Sequence, residues 1–417
     1  MSDEHTSSFG EAGVGKRAVG YQKGRPQFAL AASPIASYRM GKNVVQVAVL
    51  LAALTVLGAV GLKARFGGGT YYPDVSTAPL MGSENLEVVL SYEEPIGNVA
   101  VSTAGRIFFT AHPEARPKGA KLLEWRNGEA VPYPSAGAQD SLLGSILGLA
   151  IDRQNRLWTV DHGMHGLRRA KLHAFDLAGD SLVHEMVFPG QVAPPGSYLQ
   201  DLQIDPAGRT VYVADVSFLR GSPAIVVYDI DSGASWRILE EHESVVPQDW
   251  IIRSPLKEMT FLRGLVVLKP GVDGIALDRS GEWLYYGAMA HESLYRVRTS
   301  DIHEPRLTPL GLTARIEEVG HKPLSDGLSI DNAGNVYVTD VEHSGVMRVG
   351  VDGTLQTVIR SARIRWADAL SYGPGGWLYV ADSALPDHML RSRKHIQASA
   401  PYYVFRFRPG TAGTPGQ

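Results

Sequence analysis

Asn98, Asp201, Asp273, Asp326 and Asp368 each stand at the head of a short apolar stretch. Carboxylates gathered in this way can hold a hard cation such as Ca²⁺ through their oxygens, or orient a general base. A second set follows apolar-aromatic stretches: His112, Asp161, His162, Asp215, Asp340, His343 and Asp382, with His165, His291 and His388 close by. Imidazole changes charge near neutral pH, so His162 and His343 are the candidate proton-transfer groups. Asn98, Asp201, Asp368, His112 and His291 are candidate ligand contacts, and Trp366, just before Asp368, could stack on a flat ligand. A cation would fall to Asp273, Asp326 and Asp201. The alternative role for any of these Asp residues is structural, since an Asp opening a strand can cap neighbouring backbone N–H groups.

Other chemistries are excluded. The 417 residues contain no Cys, which removes thiolate nucleophiles, Cys-ligated zinc, iron–sulfur clusters and disulfides. Gly10 to Arg17 (GEAGVGKR) fits the spacing of a phosphate loop, but Arg17 stands where Mg²⁺ coordination needs Ser or Thr, and no strand precedes it. Gly-x-Ser-x-Gly and His-Glu-x-x-His are absent, and no Ser-His-Asp triad can be assigned from spacing. A net charge of -3 provides no field for nucleic acid.

The elements that must position these groups are repeated. DLQIDPAGRTVYVAD (from Asp201), DGIALDRSGEWLYYG (from Asp273) and DGLSIDNAGNVYVTD (from Asp326) are copies of one phrase. Looser copies begin at Asn98, near Gly148 and at Asp368. Each reads as two short strands around a tight Asp-x-x-Gly turn, recurring about every forty to seventy residues, the mark of a β-propeller. The predicted fold is all-β: a six-bladed β-propeller over residues 86–408, preceded by one N-terminal transmembrane helix. In a propeller, the start of inner strand A and the end of strand B share one face, so both sets should crowd one mouth of the central channel. LEVVLSY (Leu86–Tyr92) is expected to complete the last blade and close the ring. Strand-B aromatics such as Trp158, Trp283 and Trp377 are expected to pack between blades.

Val44 to Leu62 is apolar apart from Gln46 and Thr55, about long enough to cross a bilayer core. The expected organisation is a disordered cytoplasmic leader (1–42), a signal anchor (43–62), a linker (63–85), the propeller, and a flexible tail (409–417). Lys and Arg are concentrated ahead of the apolar segment, which puts the propeller outside: anchored to the inner membrane and lying in the periplasm. Cleavage after Ala59-Val60-Gly61 would instead release it by secretion.

The residues resemble the Yellow/major royal jelly protein family. The matching stretches are RLWTVDHG (Arg156–Gly163) with AKLHAFDL, QDLQID with VYVADV, SWRIL (Ser235–Leu239), GVDGIALDRSGEWLYY (Gly271–Tyr286) with SLYRVRT, SDGLSID with DVEHSGVMR, and WADALSYGPGGWLYVADSAL (Trp366–Leu385). The resemblance implies a secreted six-bladed propeller, with some members associated with dopachrome conversion and others with binding small aromatic amines. The chain resembles the regucalcin/gluconolactonase propellers more distantly. There SDGLSID would supply an Asp ligand at Asp326 and GVDGIALD would place Asp273 where that family has Asn, with Glu93 or Glu94 as the remaining carboxylate. Three readings follow: a membrane-tethered propeller that binds or isomerises a small aromatic or quinonoid metabolite, a divalent-metal-dependent lactonase, and a non-catalytic envelope scaffold.

Overall fold

Inner strands are buried on both faces, because each face packs against a neighbouring blade. Ile96–Val101, Ile146–Ile151 and Val272–Leu277 are accordingly buried along their whole length, whereas the outer strand Ser181–Val187 is largely exposed. The computed structural model describes residues 42–417, so the expected leader lies outside the described residues except for Lys42. Six four-stranded antiparallel sheets form the blades. Their inner strands are Ile96–Val101, Ile146–Ile151, Leu199–Ile204, Val272–Leu277, Leu328–Ile330 and Ala367–Tyr372, in blades 1 to 6.

The turns between strands A and B form as their residues dictate. In blade 3, Asp205 Oδ1 accepts from the backbone N–H groups of Arg209 and Thr210, and Gly208 takes the left-handed φ of 72°. Closure is also as expected: Glu87–Tyr92 pairs antiparallel with Tyr402–Phe407 and becomes the outer strand of blade 6. Trp158 is wholly buried, and Trp283 and Trp377 pack half-buried against the clusters between neighbouring blades, with Arg296 and Arg298 over one ring and Arg406 and Arg408 over the other.

Three boundaries differ from the sequence reading. The helix runs from Lys42 to Phe66, and Lys63 and Arg65 suit the negative end of its dipole. Within it, Val44–Phe66 is long and apolar enough to cross a membrane. The stretch read as a linker is held on the propeller: Thr70–Tyr71 pairs in parallel with Trp250–Ile251, and the Tyr72 hydroxyl donates to the Lys322 carbonyl. The tail read as flexible is likewise fixed. Asn332 N–H donates to Ala412 O, Ile151 N–H to Gly416 O and Tyr372 N–H to Gln417 O, each at 2.8 Å. The N–H groups of Ile151 and Tyr372, the last residues of two inner strands, and of Asn332 in the turn after a third, thus find partners in the tail.

Candidate functional site

The channel heads are built by a local irregularity repeated around the ring. In blades 1, 2, 3, 4 and 6 the pairing of strands A and B slips near the first residues, between Ile96 and Asn98, Ile146 and Leu149, Leu199 and Leu202, Val272 and Ile275, and Ala367 and Ala369. Such bulges turn a side chain away from the sheet. Blade 5 achieves the same end with Thr339, whose Oγ1 accepts from both Asp326 N–H and Gly327 N–H. Inner strands also approach very closely. A Cβ at Gly274 would lie 2.8 Å from Asp326 O, and one at Gly327 would lie 2.5 Å from Asp368 O. Glycine after the acidic residue is therefore a packing requirement in blades 4 and 5.

Asp201, Asp273, Asp326 and Asp368 consequently share one electrostatic environment. Burial pushes the Asp201 carboxyl up to about 8, with the Asp326 charge adding to the shift and the Asn98 hydrogen bond opposing it. Asn98 Nδ2 donates to Asp201 Oδ1 at 3.0 Å. Burial raises Asp326 to about 7 against donors from Trp366 Nε1 (2.6 Å) and Gln200 Nε2 (3.3 Å). Asp273 and Asp368 are pushed well above the usual range, first by burial and then by neighbouring carboxylates. Asp273 is 1% exposed; no N–H or hydroxyl donor meets its oxygens among the described residues, and its side-chain partner is the Asp326 carboxyl, with which it can share a proton. Close by, burial lowers the Lys322 ammonium to about 7 while Asp273 opposes the shift, and its Nζ donates to Pro323 O.

Above this floor lies a cavity of about 370 Å³. Asp273, Asp326 and Gln200 form its base, and Tyr198, His112, His165 and Glu114 one polar side. The rest is apolar, chiefly Phe218, Phe261, Leu268, Met289, Leu385 and Met389. His165 Nε2 lies 2.8 Å from Glu114 Oε1, and the His165 ring stacks on Tyr198 with centroids 4.6 Å apart. Burial would raise Glu114, but the bond to His165 and the nearby imidazoles hold its carboxyl below its ordinary value. Glu114, Tyr198, Gln200 and Lys322 escaped the sequence reading because they lie in loops or beside the repeated position. The neighbour of an acidic strand head, as Gln200 is of Asp201, was the one available signal.

The other predicted residues separate. Asp161, Asp215 and Asp382 cap backbone N–H groups ahead of strand A in their own blades, and Asp340 does so within its loop. Trp366 is 1% exposed and acts as a donor to Asp326, so it offers no stacking face. His343 does not line the cavity: its Nδ1 faces Asp340 and its Nε2 lies 3.5 Å from Asp74 of the N-terminal arm. His291 accepts from Ser293 N–H and turns its edge to Tyr295, also away from the cavity. His162 sits behind Tyr198, accepting from His165 N–H, and burial lowers it to about 3. His112 does line the cavity, 3.6 Å from Asp368 and beside His388, and burial lowers it to about 4.

A resident divalent ion does not fit this arrangement. Donors from Asn98, Gln200 and Trp366 already occupy oxygens of Asp201 and Asp326. Among the described residues, no group of three or more Asp, Glu or His side chains is disposed around a common point. The expected lactonase chemistry depends on such a set.

A family model, that of the major royal jelly proteins, matches residues 144–361. The chain belongs to the major royal jelly protein family. Major royal jelly protein 2 of Apis mellifera is 28% identical over 198 residues, covering 44% of this chain and 40% of that one. Major royal jelly protein 3 of the same organism is 25% identical over 251 residues, covering 57% and 41%. The chain therefore spans about two fifths of the length of these curated relatives. Similar solved structures include a gluconolactonase from Xanthomonas campestris, at 13% identity and a TM-score of 0.48 over 82% of this chain and 94% of that one. Another is the calcium-binding protein regucalcin from Agrobacterium tumefaciens, at 15% identity and 0.49 over 81% and 97%. At this distance they bring no chemistry to this major royal jelly family member.

Proposed function

We propose that this family member is a membrane-tethered, extracytoplasmic propeller whose upper cavity binds a small aromatic metabolite carrying a basic nitrogen. The observation that carries the proposal is the Asp273 carboxyl: buried, with no N–H or hydroxyl donor on its oxygens, paired with the Asp326 carboxyl, and at the base of an apolar cavity. A buried carboxyl is costly when it gives up its proton, and an ammonium group that takes the proton's place offsets that cost. The apolar walls supply burial for a ring, at about 25 cal/mol per Å² covered. If the bound ring is also isomerised, His165 with Glu114 is the couple placed to move a proton, being at the cavity wall and hydrogen-bonded.

The test is calorimetric titration of the full chain in detergent with phenethylamine, tryptamine and the neutral alcohols of the same rings. The amines should saturate and the alcohols should not. Asp273→Asn should weaken amine binding by about tenfold or more, the size of a lost charge-assisted hydrogen bond. Amines and alcohols binding alike, or an Asp273→Asn variant binding as well as the parent, would overturn the proposal.

A further inference from the structure

Four loops on the same face as the cavity mouth end in a common pattern. Leu167-Arg168, Leu219-Arg220, Leu262-Arg263 and Leu390-Arg391 each place a leucine at a loop tip beside an arginine. These leucines are 77%, 51%, 62% and 68% exposed. The last three line the rim of the cavity itself. Leu262, Arg263 and Leu390 hold left-handed φ values of 50°, 58° and 56°, which non-glycine residues adopt at a cost. Arg168, Arg263 and Arg391 form no ion pair among the described residues, whereas Arg220 pairs with Glu240. Exposed leucines beside arginines, three of the four without an ion pair among the described residues, form the pattern of a surface that seats in a lipid headgroup layer.

The N-terminal helix ends at this same rim. The ring of Phe66 lies 5.5 Å from that of Phe218, a cavity residue, and Arg65 donates to Arg220 O. Only Gly67–Gly69 separate the helix from the paired strand Thr70–Tyr71. Three residues reach at most about 10 Å. An apolar helix long enough to cross a membrane thus ends against the Leu219-Arg220 tip, one of the four.

We infer that the propeller docks mouth-down on an anionic bilayer, with the four leucines inserted in the headgroup region and the cavity opening onto lipid. The inference rests on the helix being membrane-embedded, but not on the identity of the ligand. Its consequence is that molecules partitioned into the bilayer reach the cavity without crossing bulk water.

The chain has no cysteine, so single labels are unambiguous. Leu167→Cys, Leu219→Cys and Leu390→Cys, each carrying a polarity-sensitive fluorophore, are placed in the full chain in phosphatidylglycerol-containing nanodiscs. Val351→Cys, in a turn on the opposite face and 71% exposed, is the reference, and Leu57→Cys reports the helix. The rim labels should be quenched by lipid-borne nitroxide and be about threefold or more less accessible to iodide than the Val351 label, as insertion by about 5–10 Å requires. Adding Leu219→Glu, Leu262→Glu and Leu390→Glu should abolish lipid quenching at position 167 while circular dichroism stays unchanged. Rim labels as open to iodide as Val351, with Leu57 still lipid-quenched, overturn the docking and leave the tether standing. An unquenched Leu57 refutes the tether and the docking with it. Iodide shielding without lipid quenching means that a second protein copy covers the rim, and also overturns it.

Discussion

Replacing Asp201 with Asn tests whether the channel floor stores unfavourable charge. Burial raises the Asp201 carboxyl from 3.8 to about 8, so the folded protein holds this proton more tightly than the unfolded chain does. The sign follows from linkage. Stability contributed by the neutral carboxyl is fully present below about pH 4, and is lost progressively as pH rises to about 8. A rise of about four units at about 1.4 kcal/mol each gives an upper bound near 6 kcal/mol. Relaxation and water in the small void above Gln417, which Asp201 lines, reduce this to about 3 kcal/mol. Asn at this position keeps an oxygen for Asn98 Nδ2 and cannot ionise. The variant should therefore match the parent near pH 4 and melt higher at pH 8. For a domain of this size, about 3 kcal/mol corresponds to roughly 4–5 °C in Tm. Thermal unfolding followed by circular dichroism between pH 4 and 9 measures the difference. A gap that does not change with pH, or that narrows toward pH 8, would refute the reasoning.

Two other perturbations separate the cavity from its surroundings. His343→Ala should leave amine affinity within about twofold, because His343 is outside the cavity, yet speed proteolysis of residues 67–81 by releasing the contact with Asp74. Removing residues 410–417 deletes the backbone bonds to Ile151, Asn332 and Tyr372 and should cost about 2–4 kcal/mol in urea unfolding. It should also return Asp201 toward an ordinary carboxyl, flattening the pH dependence described above.

The repeated phrase made the blades, the ring closure and the acidic strand heads legible, because period-two patterning and Asp-x-x-Gly turns are local properties. Which carboxylates face the channel was legible only in part. Asp273-Gly274 and Asp326-Gly327 carry the glycine that close approach of inner strands demands. Asp161, Asp215 and Asp382 look alike in sequence but are consumed by backbone caps. His343 and Trp366 hold the chain positions that the repeat implies, while their side chains turn to Asp74 and Asp326. Glu114 and Lys322 come from connections of irregular length, where no period exists to place them. The arm and tail were read as loose since neither shows strand periodicity, yet both complete hydrogen bonds that the ring leaves open.

The central claim is that an organic cation replaces a proton on the Asp273–Asp326 pair. Titration calorimetry with phenethylamine at pH 6, in two buffers of different ionisation enthalpy, counts that proton directly. Burial raises Asp326 to about 7, so its carboxyl is mostly protonated at pH 6 before the ligand arrives, and burial pushes the neighbouring Asp273 well above its ordinary value. About one proton should be released per amine bound, and affinity should rise with pH toward 7. Saturable binding with the same heat in both buffers would show that the ammonium does not meet these carboxyls, and would contradict the account.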